Sequence, residues 1–261
     1  VAKRTIGYVV RELTNDYGGF FCGQDADSDG VEGKYYVFSY DEIKSFLGET
    51  DGQIFCKHFD ITESGNFEGK SIPNLLKNEN IEQMDYHNDE LCRKLYDYRI
   101  NRTRLHKDDK ILVSWNALMI FALVSAYRVF DDEKYLKAAE KAYQFIEKNL
   151  TDKSDRLMVR WRDGEAAGNG TIDDYAFYAW ALTEMYQVTF NIVYLNRACK
   201  ISKTMCDRFF DEENGGFYLY ADDGEQLISR PKELFDNAIT SGISVAASVL
   251  QKLFSLAAED F

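Results

Sequence analysis

One stretch limits the folds open to this chain more than any other: residues 108–130, with the sequence DDKILVSWNALMIFALVSAYRVF. After two acidic residues and a short extended segment comes a long run with almost no polar face. A helix that is apolar on all sides is either a membrane span or an inner helix of a large fold. The run is shorter than the roughly 20 residues that a span requires. We therefore expect a buried inner helix with Ser114 as its N-cap.

The same pattern recurs further along the chain. Residues 173–189 and 241–257 predict two more apolar helices, and residues 133–150 and 194–210 predict amphipathic helices between them. Short hairpins are expected between these pairs, at 156–162 and 215–220. Inner helices covered on every side, paired with outer helices that show one face to water, are what a two-layer α/α toroid requires. A superhelical solenoid is the structural alternative.

The first third of the chain is less regular. It predicts helices at 3–14, 41–47 and 86–104, strands at 20–22 and 34–39 around an acidic loop, and an irregular stretch at 53–80. We expect one domain over residues 1–261, an all-α partial (α/α)6 toroid with β-hairpins on one rim. Residues 1–85 would hold the first helix, the acidic hairpin and an irregular insert, and residues 86–261 the helix pairs. The long helices are too few for a closed ring, so we expect a piece of a longer polypeptide.

Composition narrows the class of protein. A hydrophobic content of 45% supports a large core, and the net charge of −13 argues against general affinity for nucleic acid or for an anionic membrane. The five cysteines form no CxxC pair, which predicts reduced thiols instead of a disulfide framework or a zinc site. With no visible targeting or transmembrane segment, we expect a cytoplasmic protein.

The predicted topology brings chemically useful side chains together. Inner helices start, and hairpins lie, on one rim of a toroid, so that rim should collect acidic, amide, cationic and aromatic groups. Aromatic rings stack on the C–H faces of sugars, and carboxylates and amides bond to hydroxyls, so the expected ligand is a small carbohydrate. The candidate ligand-binding residues are Trp115, Asn116, Tyr175, Arg160, Trp161 and Ser241.

Two adjacent acids open the second apolar helix. One of them, by preference Asp173, would serve as an N-cap. Asp174 is then the best carboxylate for acid–base work, because apolar neighbours could raise its pKa. Paired with Asp25 or Asp27 across the mouth, it would give the two-carboxylate arrangement that glycoside hydrolysis uses.

The segment DADSDG at residues 25–30 resembles the start of an EF-hand loop, but position 12 would fall on Tyr36, where a glutamate is needed. A calcium site, a solvated acidic turn and a ligand-facing carboxylate are the three alternatives, and we predict no metal and no cofactor. The three histidines, His58, His87 and His106, precede no inner helix directly. This lowers the expectation of histidine-based epimerase chemistry.

Four blocks carry a family resemblance: GGFFCGQDADSDGVEGKYYVFS, GNFEGKSI, DDKILVSWNALM and TIDDYAFYAWALTEMY. They are similar to segments of the thioredoxin-domain-containing family related to spermatogenesis-associated protein 20, the YyaL type of bacteria. The resemblance implies an (α/α)6 toroid akin to N-acylglucosamine 2-epimerases and six-hairpin glycosidases, preceded by a thioredoxin-like domain that this chain lacks. One segment departs from the family pattern: Thr240 replaces a proline and Ile243 an asparagine.

Residues and resemblance together predict a carbohydrate-active or carbohydrate-binding domain, with sugar hydrolysis and sugar isomerisation as the candidate activities. The alternative is a catalytically inactive scaffold that presents the thioredoxin-like domain to a protein partner.

Overall fold

The computed structural model describes residues 1–78, 86–224 and 228–257. The chain forms two compact units: unit 1 consists of residues 1–23 with residues 108–261, and unit 2 of residues 24–107. Each unit has its own hydrophobic core. The division predicted at residue 85 falls outside the described residues and does not coincide with these boundaries.

The elements in chain order are α1 (Ala2–Glu12), β1 (Gly23–Gln24), β2 (Asp27–Ser28), β3 (Val31–Glu32), α2 (Tyr40–Leu47), α3 (Glu49–His58), α4 (Tyr86–Arg102), β4 (Lys107–Asp108), β5 (Ile111–Leu112), α5 (Val113–Phe130), α6 (Glu133–Asn149), β6 (Met158–Arg162), β7 (Glu165–Asn169), α7 (Ile172–Thr189), α8 (Ile192–Phe209) and α9 (Gly242–Ala257). The predicted long helices are all present, with ends shifted by a few residues.

Unit 1 is a two-layer arrangement of helices. The central helix α7 packs against α5, α8 and α9, while α5 also packs against α6. Helix α7 is covered almost completely, and Tyr175, Phe177 and Tyr178 are among its fully buried residues. The inner helices are thus α5, α7 and α9, the outer helices are α6 and α8, and the prediction of a partial α/α toroid is confirmed. Their starts at Val113, Ile172 and Gly242 form the edge called the rim below.

Helix α5 combines a buried and an accessible face. By length and composition it could cross a membrane, yet its Ile120, Leu123 and Val124 are fully buried in the core of unit 1. Trp115 and Val129, on the other side, are exposed. The prediction of an inner helix is confirmed, but its apolar residues are not buried on all sides.

A small antiparallel sheet leads into α5. Strand β6 pairs with β5 on one side and with β7 on the other, so that Arg160 lies opposite Leu112 and Ala167. The hairpin predicted at 156–162 is therefore present, with β5 as a third strand. Since β5 ends where α5 begins, the sheet fixes the direction in which α5 starts.

Unit 2 packs α2, α3 and α4 around a core that includes Ile43, Phe55 and Leu91. Its acidic loop forms a short hairpin, β2 with β3. The strand predicted at 34–39 is wrong: this segment is mainly turn, because its aromatic residues enter the core while Ser39 caps α2. Helix α3 ends inside the stretch that was predicted to be irregular.

Candidate functional site

Asp174 joins the first turns of two inner helices. Its Oδ1 accepts the backbone N–H of Ser114 at 2.9 Å. Its Oδ2 accepts the N–H and the hydroxyl of Thr171, the N-cap of α7, at 2.8 and 3.0 Å. These bonds satisfy N–H groups that helix starts leave without partners. The predicted caps are therefore wrong: Leu112, not Ser114, is the N-cap of α5, and Thr171, not Asp173, is that of α7.

The environment of Asp174 changes its acidity. The side chain is almost fully buried, and this burial raises the pKa of its carboxyl to about 6, against the lowering effect of the bonds from Thr171 and Ser114. The direction agrees with the expectation drawn from its apolar neighbours. Because 1% of the residue is exposed, a ligand at the rim does not reach this carboxylate in the present conformation.

Asn116 holds a distant segment against α5. Its Oδ1 accepts the Phe20 N–H at 2.7 Å, and its Nδ2 donates to the carbonyls of Phe20 and Leu112 at 2.9 and 2.8 Å. Both amide hydrogens are thereby used, and the residue is buried. Such a side chain stabilises the rim by pairing backbone groups that would otherwise be buried without partners.

Two more predicted ligand residues have structural contacts. The hydroxyl of Tyr175 accepts the Leu157 N–H at 3.2 Å inside the core. The hydroxyl of Ser241 accepts the Ser244 N–H at 3.2 Å, the geometry of an N-cap, at the start of α9. Both groups therefore position the rim.

Two of the predicted ligand residues at the rim remain accessible. Trp115 is 49% exposed, and Arg160 is half-buried on β6, where no other described residue bonds to its guanidinium. Trp161 alternates with Arg160 along the strand and packs against Phe145 in the core, with ring centroids 5.4 Å apart. Of the two adjacent β6 residues, Arg160 is thus the one available to a ligand.

Asp173 is a second carboxylate at the rim, and the sequence predicted it to be the N-cap of α7. Its Oδ1 is buried without a hydrogen-bond partner among the described residues. Burial and the nearby charge of Glu233 raise its pKa, although the N–H of Gly242 at the start of α9 acts in the opposite direction. The Asp-Asp pair itself was the available signal, since two acids cannot both cap one helix start.

Of the two acidic candidates of unit 2, Asp27 begins strand β2 of the hairpin and Asp25 precedes that strand. Asp25 accepts the N–H of Asp27 at 3.1 Å, which is a local turn contact, and both residues are exposed. Their predicted pairing with Asp174 stays a prediction. Within the described ranges, no group of three or more His, Cys, Asp or Glu side chains could hold a metal ion.

Comparison with known proteins gives relatives along nearly the whole chain. Mouse spermatogenesis-associated protein 20 is 29% identical over 98% of this chain and 38% of its own length. An uncharacterized protein of Caenorhabditis elegans is 31% identical over 95% of the chain and 39% of its own length. These homologies confirm the family resemblance, and the chain spans about two fifths of the relatives it matches. The family model of the D-glucuronyl C5-epimerase C-terminus matches residues 93–155.

Solved structures with similar folds include sugar-active enzymes. Cellobiose 2-epimerase from Bacillus thermoamylovorans is 23% identical, with a TM-score of 0.49 over 60% of this chain and 42% of that one. A family 105 glycoside hydrolase from C. acetobutylicum is 14% identical, with a TM-score of 0.48 over 99% of this chain and 67% of that one.

Proposed function

We propose that this homologue of spermatogenesis-associated protein 20 binds a carbohydrate at the rim of unit 1, where α5, α7 and α9 begin. The observation that carries the proposal is Asp173, a partly exposed carboxylate at the rim whose pKa is raised by burial and by the charge of Glu233. A ligand hydroxyl would donate to the accessible part of this carboxylate.

The neighbours of Asp173 suit the same ligand. Trp115 follows Ser114 in the chain and Asp173 precedes Asp174, and the bonded atoms of Ser114 and Asp174 are 2.9 Å apart. A half-exposed indole and a carboxylate therefore share one part of the rim. The indole offers an apolar plane to a sugar ring, and Arg160 offers donors to its hydroxyls.

If the domain is catalytic, the chemistry would be metal-independent acid–base catalysis on a sugar. Asp173 is then the better proton donor of the acidic pair, because its pKa is also raised and it is partly exposed, whereas Asp174 is buried. Asp174, which is enclosed by its contacts, would hold the helix starts that position Asp173. Hydrolysis would also require a second carboxylate.

One observation favours a second function. Asn116, Asp174, Tyr175 and Ser241 all direct their polar groups into the fold. A rim held together in this way also suits a catalytically inactive scaffold. The greater length of the relatives is compatible with a fused thioredoxin-like domain, which such a scaffold would present to a partner.

A thermal-shift screen separates the two functions. We expect N-acetylglucosamine, cellobiose, mannotetraose or a tetragalacturonide to raise the unfolding temperature of the chain. A ligand at ten times its dissociation constant adds about 1.4 kcal/mol to the stability, which corresponds to about 3–6 °C for a domain of this size. The shift should disappear in Trp115→Ala, because the stacking plane is lost.

Val129→Ala is the matched control, since Val129 is an exposed apolar residue near the far end of the same helix. It should keep the full saccharide response. Absence of any saccharide response in the wild-type chain would favour the scaffold, and equal responses in both variants would remove Trp115 from the site.

A further inference from the structure

Helix α7 is covered almost completely, but two of its positions before the last turn are only partly buried. Between its first turn and its last residues, Asp173 and Trp180 are the only half-buried positions, and they are seven residues apart. Two turns of helix separate residues at this spacing, so both lie on the same face. That face continues from the rim along the wall formed by the inner helices.

An aromatic pair lies on this wall. The rings of Phe121 on α5 and Trp180 on α7 are 4.0 Å apart between centroids, at an angle of 34°. Both residues are only partly buried. Together they form an apolar platform of the kind that packs against the face of a sugar ring.

A charged cluster follows one helical turn after Trp180. The buried carboxylate of Glu184 on α7 is bound by Arg128 of α5 at 2.9 Å and by Lys252 of α9. The cluster of two cationic side chains and one carboxylate therefore carries a net positive charge. One guanidinium N–H of Arg128 donates to Glu184, and Arg128 has no other hydrogen-bond partner among the described residues. The side chain is 48% exposed. Its remaining donors are therefore available to an anion.

We propose that this wall binds the acidic residue of an anionic oligosaccharide, with the ring on Phe121 and Trp180 and the carboxylate on Arg128. Guanidinium and carboxylate groups match in shape and charge, and Lys252 adds positive potential. From Asp173 to Glu184 the helix rises about 16 Å, a length that suits an oligosaccharide and not a monosaccharide. The inference rests on the proposed function and specifies its substrate class.

Calorimetric titration with a matched pair of ligands tests the proposal. The probes are a tetragalacturonide and its fully methyl-esterified form, which differ in carboxylate charge. The acid should bind the wild-type chain about tenfold more tightly than the ester at low ionic strength, the effect expected from one charge-assisted pair. Added salt should reduce this preference.

The variant Arg128→Gln should bind acid and ester alike. Arg208→Gln is the matched control, since 46% of the Arg208 side chain is exposed and it forms ion pairs on the outer helix α8. It should keep the tenfold preference. Equal binding of acid and ester by the wild type, or equal loss of preference in both variants, overturns the inference. If neutral saccharides bind but the acid binds no more tightly than the ester, the proposed function stands and the acidic substrate class is wrong. If no saccharide binds, the proposed function and the substrate class are both wrong.

Discussion

Replacing Asp174 by asparagine is expected to abolish a pH dependence of unfolding that the wild-type chain shows between pH 3.8 and about 6. The folded-state pKa lies above the unfolded one, so the contribution of this carboxyl to stability is complete below pH 3.8 and is lost as the pH rises through about 6. At 1.36 kcal/mol for each pH unit between the two values, the loss is about 3 kcal/mol. The cause is burial, which outweighs the bonds from Ser114 and Thr171.

Urea unfolding followed by tryptophan fluorescence at about pH 4 and about pH 7.5 measures this effect. The unfolding free energy of wild type relative to Asp174→Asn should fall by about 3 kcal/mol toward the higher pH, so that the variant becomes the more stable of the two. The asparagine also loses an acceptor for the rim donors, a cost of about 1–2 kcal/mol that is nearly equal at both pH values. Since the isoelectric point is about 4.8, low protein concentrations are required.

Asp207→Asn, an exposed change on α8, serves as the control and should leave the pH dependence intact. A difference between wild type and Asp174→Asn that grows with pH would mean that Asp174 is stabilised as the anion, which contradicts the assignment.

Replacing Arg197 by methionine is expected to lower the unfolding free energy by about 3 kcal/mol. The Arg197 side chain is 9% exposed and donates to Glu147 and Asp155 at 2.9 and 2.8 Å. Glu147 also accepts the hydroxyl of buried Tyr178 at 2.6 Å. Without the cation, Glu147 would be a partly buried charge without compensation. The figure is at the lower end for buried pairs because Glu147 retains some contact with solvent.

The double variant Glu147→Gln with Arg197→Met tests the electrostatic cause. Glutamine still accepts the Tyr178 hydroxyl but carries no charge, so we expect it to restore more than half of the loss in urea unfolding. A double variant as unstable as Arg197→Met alone would attribute the loss to packing and not to the uncompensated charge.

The helices of unit 1 were predictable because their evidence is local. The apolar residues of 173–189 surround the helix axis, and the amphipathic pattern of 133–150 needs no knowledge of the neighbours. The cap of α5 was not predictable in this way. Its donor, the Ser114 N–H, finds its acceptor in Asp174, 60 residues later in the chain, and such a contact has no sequence pattern.

The candidate site was likewise only partly predictable from the sequence, because several of its contacts join residues far apart in the chain. Sequence placed Trp115 and the Asp-Asp pair on one rim, which the structure supports through the Ser114–Asp174 bond. The sequence did not show which aspartate of the pair faces inward, since the two side chains are identical and occupy adjacent positions. Asn116 illustrates the point again, because its partner Phe20 lies 96 residues earlier. Likewise, residues 34–39 have β propensity, but burial of their aromatic rings in a small core determined the conformation.

The proposed division of roles is that Asp173 contacts the ligand while Asp174 holds the rim. Calorimetric titration of wild type and Asp173→Asn with the saccharide that gives the largest thermal shift tests it most directly, with Asp207→Asn as the control. We expect Asp173→Asn to weaken binding at least about tenfold, which is the loss of one hydrogen bond to a carboxylate, and Asp207→Asn to bind as the wild type does. An unchanged affinity of Asp173→Asn for the saccharide would contradict this division of roles.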